Sequence, residues 1–204
     1  MIKNIVFDMG RVLVDFRPKA IMERFGVPEE DRQIILNELF LSLQWVRMDR
    51  GVISDEEACE NMCKNVPERL HKYVRQIVFN WDKPIEPVYG MAELIHELKD
   101  MGYGIYLLSN VSRRQCEYWP RVPGHEYFDG TFISADYGLL KPHYEIYNKF
   151  FEEFSLKPEE CLFIDDAPAN IEGALCCGMK GIVFHNDIED LRKKLADMDI
   201  KVTI

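Results

Sequence analysis

The fold follows first from MIKNIVFDMG at residues 1–10, in which the short apolar run 2–7 ends at Asp8. An apolar run of this length is typical of a buried strand, and the polar residue after it is typical of the loop at the carboxyl end of that strand. Four similar runs follow much later, at 105–108, 131–134, 161–164 and 182–184. We therefore expect five buried strands, the first of them far from the others along the chain.

Segments of helical period lie between the later strands, at 88–101, 143–154, 168–177 and 188–198. The first of these begins near Pro87 and ends at Gly102, which are typical boundary residues of a helix. Strands that alternate with helices are typical of a parallel, doubly wound sheet. The sequence therefore predicts an α/β fold with a Rossmann-like core.

The stretch from 15 to 85 interrupts this alternation because it contains no convincing strand. Its amphipathic periods predict helices at 29–43, 55–64 and 68–81, the second of them beginning at a candidate capping box of Ser54 and Glu57. An insertion directly after the first strand lies above the carboxyl edge of the sheet, where such folds bind their ligands. We therefore predict a small α-helical cap at 15–85, in the position of a lid, over a core formed by 1–14 and 86–204.

The composition is that of an acidic globular protein. The 204 residues are 47% hydrophobic, enough for a sizeable core, and 25 Lys and Arg stand against 35 Asp and Glu, a formal charge of -10. This charge argues against nucleic acid or an anionic membrane as a partner. The six cysteines form no CxxC pair, and neither a signal peptide nor an apolar run of membrane-spanning length is visible. We expect a cytoplasmic protein with free thiols.

Polar residues follow the ends of four predicted strands. They are Asp8, then Ser109 and Asn110, then Lys141, then Asp165 and Asp166. Each alone has an ordinary explanation as a cap or a turn residue, but a parallel sheet brings all of these strand ends into one crevice. Carboxylates, a hydroxyl, an amide and an ammonium group together suit a magnesium-assisted phosphoryl transfer to a carboxylate nucleophile.

Four ordered motifs resemble those of the haloacid dehalogenase-like (HAD) hydrolase superfamily, and they span nearly the whole chain. They are FDMGRVLVD at 7–15, LLSN at 107–110, LLKP at 139–142 and FIDDAPANIEGA at 163–174. The helical insertion, together with DRGVIS at 49–54, YWP at 118–120 and KPHYEIY at 141–147, also resembles the bacterial branch that contains alpha-glucose-1-phosphate phosphatase. The resemblance implies a phosphatase for a small phosphorylated metabolite such as a hexose 1-phosphate.

The resemblance also implies roles for the residues at the strand ends. Asp8 is the nucleophile that forms an aspartyl-phosphate, and Ser109 and Asn110 bind the transferring phosphoryl oxygens. Lys141 contacts the phosphoryl group and offsets its negative charge and that of Asp8. There is a physical reason for such a cation, since a carboxylate and a phosphate repel each other at attacking distance.

A magnesium ion is the cofactor that the resemblance implies. Its ligands are Asp8, Asp166 and the main-chain carbonyl of Gly10, while Asp165 and Asn170 support this shell. Oxygen donors are the ligands that Mg²⁺ prefers. The pattern of these motifs therefore predicts a single magnesium site beside the nucleophile.

Gly10 is a departure from the usual superfamily pattern, which has a second aspartate there as general acid for the leaving group. Such a donor typically contributes about 10²- to 10⁴-fold in rate. Asp15 and Arg11 are nearby candidates for its replacement. Without a donor, acidic leaving groups are favoured, so we expect a hexose 1-phosphate to react faster than a 6-phosphate. A Gly10→Asp change is expected to cause strain if Gly10 has a positive φ.

Two alternatives remain open at this point. A metal-independent 2-haloacid dehalogenase also uses the first aspartate as nucleophile and lacks the second, and a halide needs no proton to leave. A catalytically silent HAD module with a binding or regulatory role is the other alternative, supported only by Gly10. The pair Asp165 and Asp166 favours a metal site, and the presence of Asp8 and Lys141 favours an enzyme.

Several residues near the predicted site are left without a role. Four residues of the predicted cap are candidates for contact with the substrate, namely Trp45, Arg47, Asp49 and Trp81, but aromatic residues at helical spacing more often belong to the core. Arg113 and Arg114 follow a predicted strand, but arginines near strand ends are common on protein surfaces. The sequence does not predict an oligomeric state.

Overall fold

The structure is a computed structural model that describes residues 1–203, and its core is one five-stranded parallel sheet. The strands are β1 (Asn4–Phe7), β2 (Gly104–Ser109), β3 (Gly130–Ile133), β4 (Cys161–Asp165) and β5 (Lys180–Val183). They lie side by side in the order β3-β2-β1-β4-β5. The strands β2 and β3 therefore lie on one side of β1, and β4 and β5 lie on the other side. This confirms the predicted α/β fold, and a ligand crevice is expected where the strand order reverses.

The strands read as continuous apolar runs because both faces of the sheet are buried. Ile5 and Phe7 belong to one apolar cluster, whereas Val6 belongs with Phe132 and Phe163 to the cluster on the other face. Successive side chains of a strand point to opposite faces, so each strand contributes to both layers.

Helices surround this sheet and form the whole of the insertion. The α-helices span Pro18–Arg24, Arg32–Ile35, Leu43–Asp49, Asp55–Lys64, His71–Asn80, Met91–Asp100, Gln115–Tyr118, Ser134–Tyr137, Tyr144–Phe154, Pro168–Cys176 and Ile188–Ala196. The 3₁₀ turns span Glu29–Asp31, Glu68–Leu70, Trp119–Arg121, His125–Tyr127 and Pro158–Glu160. Each of the four helices predicted for the core is present, with small shifts at its ends.

The single helix predicted at 29–43 is wrong. The structure divides this stretch into the turn Glu29–Asp31, the short helix Arg32–Ile35 and the π-helical segment Leu36–Phe40, and a new helix begins at Leu43. Ser42 explains the break, because its hydroxyl donates to the Leu39 carbonyl at 2.8 Å and accepts from the Trp45 N–H at 3.2 Å. A helix-capping residue inside a continuous amphipathic stretch does not change the spacing of the apolar residues, so the sequence pattern does not reveal it.

Other boundaries differ less. The stretch predicted as a helix at 68–81 begins as a 3₁₀ turn and becomes helical at His71, and Ser134 begins a short helix instead of ending β3. The last strand begins earlier than predicted, at Lys180. The predicted cap at Ser54 is confirmed, since its hydroxyl accepts from the Glu57 N–H at 3.1 Å.

The inserted helices bury an apolar cluster of their own. Its members lie between Ile21 and Val78, and Leu39, Met62 and Ile77 are among its fully buried side chains. Because this cluster is separate from the two on the sheet, we propose that 15–85 is a cap and that 1–14 with 86–204 is the core. No helix within residues 1–203 is both long enough and apolar enough to cross a membrane.

Candidate active site

The carboxyl ends of β1, β2 and β4 meet at one edge of the sheet. Asp8 follows β1 directly, Ser109 is the last residue of β2, and Asp165 is the last residue of β4. They lie close together because β1 pairs with β2 on one side and with β4 on the other. The structure therefore brings these three predicted site residues to a single edge.

Lys141 reaches the same edge from beyond β3, and only 5% of its surface is exposed. Its ammonium group donates to the Asp165 carboxylate at 2.7 Å, to the Asp8 carboxylate at 2.8 Å and to the Leu108 carbonyl at 3.0 Å. Burial disfavours this charge, but the negative charges of Asp165 and Asp8 outweigh it and raise the pKa of Lys141. One permanent cation therefore lies between two buried carboxylates.

Asn110 positions this lysine through its main chain. The Asn110 side chain donates from Nδ2 to the Lys141 carbonyl at 3.0 Å and accepts the Lys141 N–H at Oδ1 at 2.9 Å. These paired bonds connect the end of β2 to a loop far along the chain, a contact that the sequence does not reveal. For Asn110 and for the buried Ser109, contact with phosphoryl oxygens stays a prediction.

Asp165 is held by several donors besides Lys141. Its carboxylate accepts from the Ala167 N–H at 2.8 Å, and each of its two oxygens accepts from the Asn170 side chain at 3.0 Å. These bonds satisfy a carboxylate that is completely buried. Asp165 is therefore suited to orient its neighbours and not to react.

Asp8, Asp165 and Asp166 form a compact carboxylate cluster. One oxygen from each lies within 4.8 Å of the others. Asp166 is the most accessible of the three, and Arg11 lies 2.9 Å from its carboxylate. Burial raises the pKa of Asp166, although the charge of Arg11 opposes the shift. Such a set of hard oxygen donors at short mutual distance fits Mg²⁺, which agrees with the predicted ligand chemistry.

Asp8 is buried, but it is the cluster member that lines the cavity beside the sheet edge. Burial raises the pKa of Asp8 to about 6, the charge of Lys141 opposes this shift, and the charge of Asp165 adds to it. A carboxylate with few water partners interacts strongly with a nearby cation or electrophile. Asp8 therefore has the perturbed environment that is common among reactive groups in clefts.

A cavity of about 170 Å³ separates this edge from the inserted helices. Its floor includes Asp8, Ser109 and Lys141. Its walls and roof include Phe16, Trp45, Asp49, Asp55, Trp81 and Tyr118. Inserted residues thus cover part of the crevice, and the role of the insertion as a lid stays a prediction. Sequence reasoning left Trp45, Asp49 and Trp81 without a role, because helical periodicity does not tell which face of an inserted helix meets the sheet.

The two donor candidates, Arg11 before the insertion and Asp15 at its first residue, lie outside the cavity. Asp15 pairs with Arg17 at 2.6 Å, and Arg11 pairs with Asp166, and neither is among the residues that line the cavity in the described chain. Gly10 does line it, and its φ is not positive. A Cβ added there would meet only the Phe16 Cβ, at 3.9 Å, so the strain expected of a Gly10→Asp change is wrong.

The two arginines after β2 connect the core to the insertion. Arg113 donates to the Gly51 carbonyl at 3.1 Å, and Arg114 donates to the carbonyls of Val78 at 2.6 Å and Phe79 at 2.9 Å. Both guanidinium groups therefore hold the inserted helices in place over the sheet, a role that sequence reasoning did not assign to them.

Known proteins resemble this chain along nearly its whole length. Residues 2–178 match the family described as haloacid dehalogenase-like hydrolase. A flavin mononucleotide hydrolase from Arabidopsis thaliana is 26% identical over 98% of this chain and 79% of its own length. A D-ribitol-5-phosphate phosphatase from Bacteroides thetaiotaomicron is 27% identical over 84% of this chain and 86% of its own. An HAD family enzyme of that organism, crystallised with magnesium and inorganic phosphate, has a similar fold with a TM-score of 0.72, 22% identity and coverage of 94% and 99%.

Proposed function

Because the chain belongs to the haloacid dehalogenase-like hydrolase family, we propose that it is a magnesium-dependent phosphatase that hydrolyses small phosphomonoesters through Asp8. The observation that carries this proposal is the ammonium of Lys141, buried between Asp8 and Asp165 at the floor of the cavity. A cation in this place draws a phosphoryl group toward a carboxylate that would otherwise repel it. The names of the two relatives, both hydrolases of phosphate esters, support the same activity.

In this mechanism Asp8 attacks phosphorus and forms an aspartyl-phosphate, which water then hydrolyses. Lys141 contacts the transferring phosphoryl group, and Ser109 and Asn110 at the end of β2 bind its oxygens. Lys141 also keeps the Asp8 carboxylate ionised and oriented. The rigid edge of the sheet supplies the alignment that an in-line displacement requires.

Magnesium is the cofactor of this proposal, and Asp8, Asp166 and the Gly10 carbonyl would hold it. Asp165 and Asn170 would support these ligands through the hydrogen bonds described above. When bound, the ion supplies positive charge that neutralises the phosphate oxygens. The compact cluster of Asp8, Asp165 and Asp166 supports this assignment.

We propose a sugar phosphate as the substrate, with a hexose 1-phosphate as the leading candidate. Aromatic side chains beside carboxylates suit a sugar, which has apolar ring faces and many hydroxyl groups, and the cavity offers Trp45 and Trp81 beside Asp49 and Asp55. Its small volume favours a compact metabolite. The position of the phosphate on the sugar follows from the resemblance of the sequence motifs to the branch that contains alpha-glucose-1-phosphate phosphatase.

A cytoplasmic location belongs to the same proposal. All six cysteines are free, which is typical of proteins in reducing compartments. Cys59, Cys63 and Cys161 are buried, and they pack as small apolar side chains. A cytoplasmic protein would meet phosphorylated metabolites, which are charged and are retained inside cells.

Asp8→Asn tests the nucleophile directly. The amide keeps the shape of the side chain but attacks phosphorus poorly, so phosphate release from p-nitrophenyl phosphate and from hexose 1-phosphates should disappear while the circular dichroism spectrum stays unchanged. Phosphate release is measured beside chloride release from 2-chloropropionate. Chloride release without phosphate release by the unmodified protein would assign it to the dehalogenases, and neither product would indicate a silent binding module.

A further inference from the structure

Three carboxylates line the cavity, those of Asp8, Asp49 and Asp55. Asp8 is bound to Lys141. Asp55 accepts a hydrogen bond from the Ser112 hydroxyl at 2.9 Å. Asp49 is the third, and within residues 1–203 no cation lies at ion-pair distance from its carboxylate; Gly10 has no side chain to donate a proton. Asp49 thus lines the cavity without a paired cation, which makes it the candidate proton donor to a bound substrate.

The loop that carries Asp49 is fastened to the core at several points. The Ser134 hydroxyl donates to the Asp49 carbonyl at 2.5 Å, and the Arg50 side chain donates to the Gly138 carbonyl at 2.9 Å. Gly51 lies so close to the core that a Cβ on it would be 2.1 Å from the Ala135 carbonyl oxygen. The sequence DRG at 49–51 thus directs one carboxyl group into the cavity from a loop that packs against the core.

The helix ends on either side of this loop give the two cap carboxylates opposite environments. Asp49 is the last residue of the helix Leu43–Asp49, whereas Asp55 is the first residue of the helix Asp55–Lys64. Negative charge is disfavoured at a helix C-terminus and favoured at a helix N-terminus. The helix ends therefore disfavour a charge on Asp49 and favour one on Asp55, although burial also raises the pKa of Asp55 against the Ser112 hydrogen bond and the charge of Arg114.

Burial acts in the same direction. Burial and the charge of Asp55 raise the pKa of Asp49 well above its ordinary value, and the charge of Asp8 adds to the shift. Interactions with the Trp45 side chain and the Ser112 main chain oppose it. Burial therefore favours the protonated form of the carboxyl group that enters the cavity from the cap.

We infer that Asp49 is the general acid for the leaving group, a catalytic residue supplied by the cap in place of the side chain that Gly10 lacks. As Asp8 forms its bond to phosphorus, the bond from phosphorus to the leaving oxygen breaks and its electron pair goes to that oxygen. The oxygen takes the proton of Asp49, so the alcohol leaves neutral and Asp49 becomes a carboxylate.

The second half of the cycle restores both groups. The Asp49 carboxylate takes a proton from water as the water oxygen attacks the phosphorus of the aspartyl-phosphate. The bond from phosphorus to Asp8 breaks, and its electron pair returns to the Asp8 carboxylate as phosphate is released. One water is consumed, and both carboxyl groups regain their starting protonation states.

This inference rests on the proposed phosphatase activity and changes one of its consequences. With a donor on the cap, the native enzyme does not depend on an acidic leaving alcohol. The preference for acidic leaving groups that follows from Gly10 then belongs to an enzyme without Asp49.

A series of substituted phenyl phosphates tests this role, because its members have similar shapes but leave as phenols of different acidity. Asp49→Asn keeps the shape of the side chain and removes the proton. It should lower kcat/KM for phenyl phosphate by about 10²-fold or more, but for p-nitrophenyl phosphate by less than about 10-fold, because nitrophenolate leaves without help. The matched control is Asp55→Asn, which changes a second cap carboxylate in the same cavity and should affect all members of the series equally.

The outcomes separate the inference from the function on which it rests. A uniform loss across the series for Asp49→Asn, like that of Asp55→Asn, would show that Asp49 shapes the cavity without donating a proton, and the inference would be overturned while the phosphatase activity stands. Failure of the unmodified protein to hydrolyse any of these esters with Mg²⁺ present would overturn the proposed function itself.

Discussion

At Gly51 the cap loop packs closely against the backbone of the core, and Gly51→Ala should separate the two. The added Cβ would lie 2.1, 2.8 and 2.9 Å from the O, C and Cα atoms of Ala135. All three are backbone atoms, so no side-chain rotation can relieve the overlap. Gly51 also has a φ of +72°, where an L-residue costs about 1–2 kcal/mol. Crowding of a packed contact costs about 1–3 kcal/mol more, for a total of about 2–5 kcal/mol.

Gly26→Ala is the matched control, because Gly26 also lies in the cap and has a φ of +69° but no atom within 4 Å of the added Cβ. Gly26→Ala should lower the free energy of unfolding only by the cost of the backbone conformation, about 1–2 kcal/mol. Urea unfolding followed by circular dichroism gives the free energy of unfolding of both variants. The difference between them, about 1–3 kcal/mol, measures the contact of the loop with Ala135.

Activity provides a second measurement on the same pair of variants. Displacement of the loop moves Asp49 away from the cavity, so Gly51→Ala should lose kcat/KM for phenyl phosphate while Gly26→Ala keeps it. Equal unfolding free energies together with equal activities would refute the view that Gly51 holds the cap loop against the core.

Three further outcomes are expected. Lys141→Met leaves two buried carboxylates without their cation, so it should lower the free energy of unfolding by about 3–5 kcal/mol and abolish activity. The control is Lys149→Met, which removes an exposed ion pair and should change stability little. EDTA should abolish phosphate release and Mg²⁺ should restore it, with Asp166→Ala needing more Mg²⁺; full activity of the chelated enzyme would contradict the metal site. Although burial opposes the shift, Arg192 and the Thr203 contacts hold the pKa of Glu97 below its usual value, so this carboxylate stabilises the fold at neutral pH and loses that effect as the pH falls below about 4.5. Glu97→Gln should therefore reduce the loss of unfolding free energy on acidification, and an unchanged acid dependence would rule out this contribution.

The order of strands and helices in the core is predictable because burial alone determines it. A parallel strand covered on both faces must be apolar throughout, so runs such as 2–7 and 161–164 mark strands without any knowledge of their partners. The cap is less predictable, because its helices are short and end at local hydrogen bonds. Ser42 divides an amphipathic stretch through two bonds of its hydroxyl, and no periodic pattern registers such a bond.

In the candidate site, too, the sequence reveals residues with a local signal but not contacts between segments that are far apart along the chain. Asp8 and Asp165 are found from the sequence because each follows a strand directly, and parallel strand ends must converge. The clamp of Asn110 on the main chain of Lys141 is not found, because it depends on how a loop returns to the sheet. Asp49 is noticed in the sequence but receives no role there, since its position depends on how the cap packs on the core.

The groups that carry out the proposed reaction lie in two parts of the structure, the core and the cap. The nucleophile and the lysine belong to strand ends and a loop of the core, whereas the acid belongs to a cap loop that Arg113 and Ser134 fasten down. If the cap opens to admit substrate, the acid moves away with it, and the open site holds the nucleophile and the lysine without an acid. Closure would then bring Asp49 to the leaving oxygen and remove water from the cavity in one movement, and the low dielectric of the closed cavity would keep its proton in place until the alcohol requires it. A donor at the position of Gly10 would remain beside the nucleophile in both states, so supplying it from the cap restricts the full reaction to the closed, occupied enzyme.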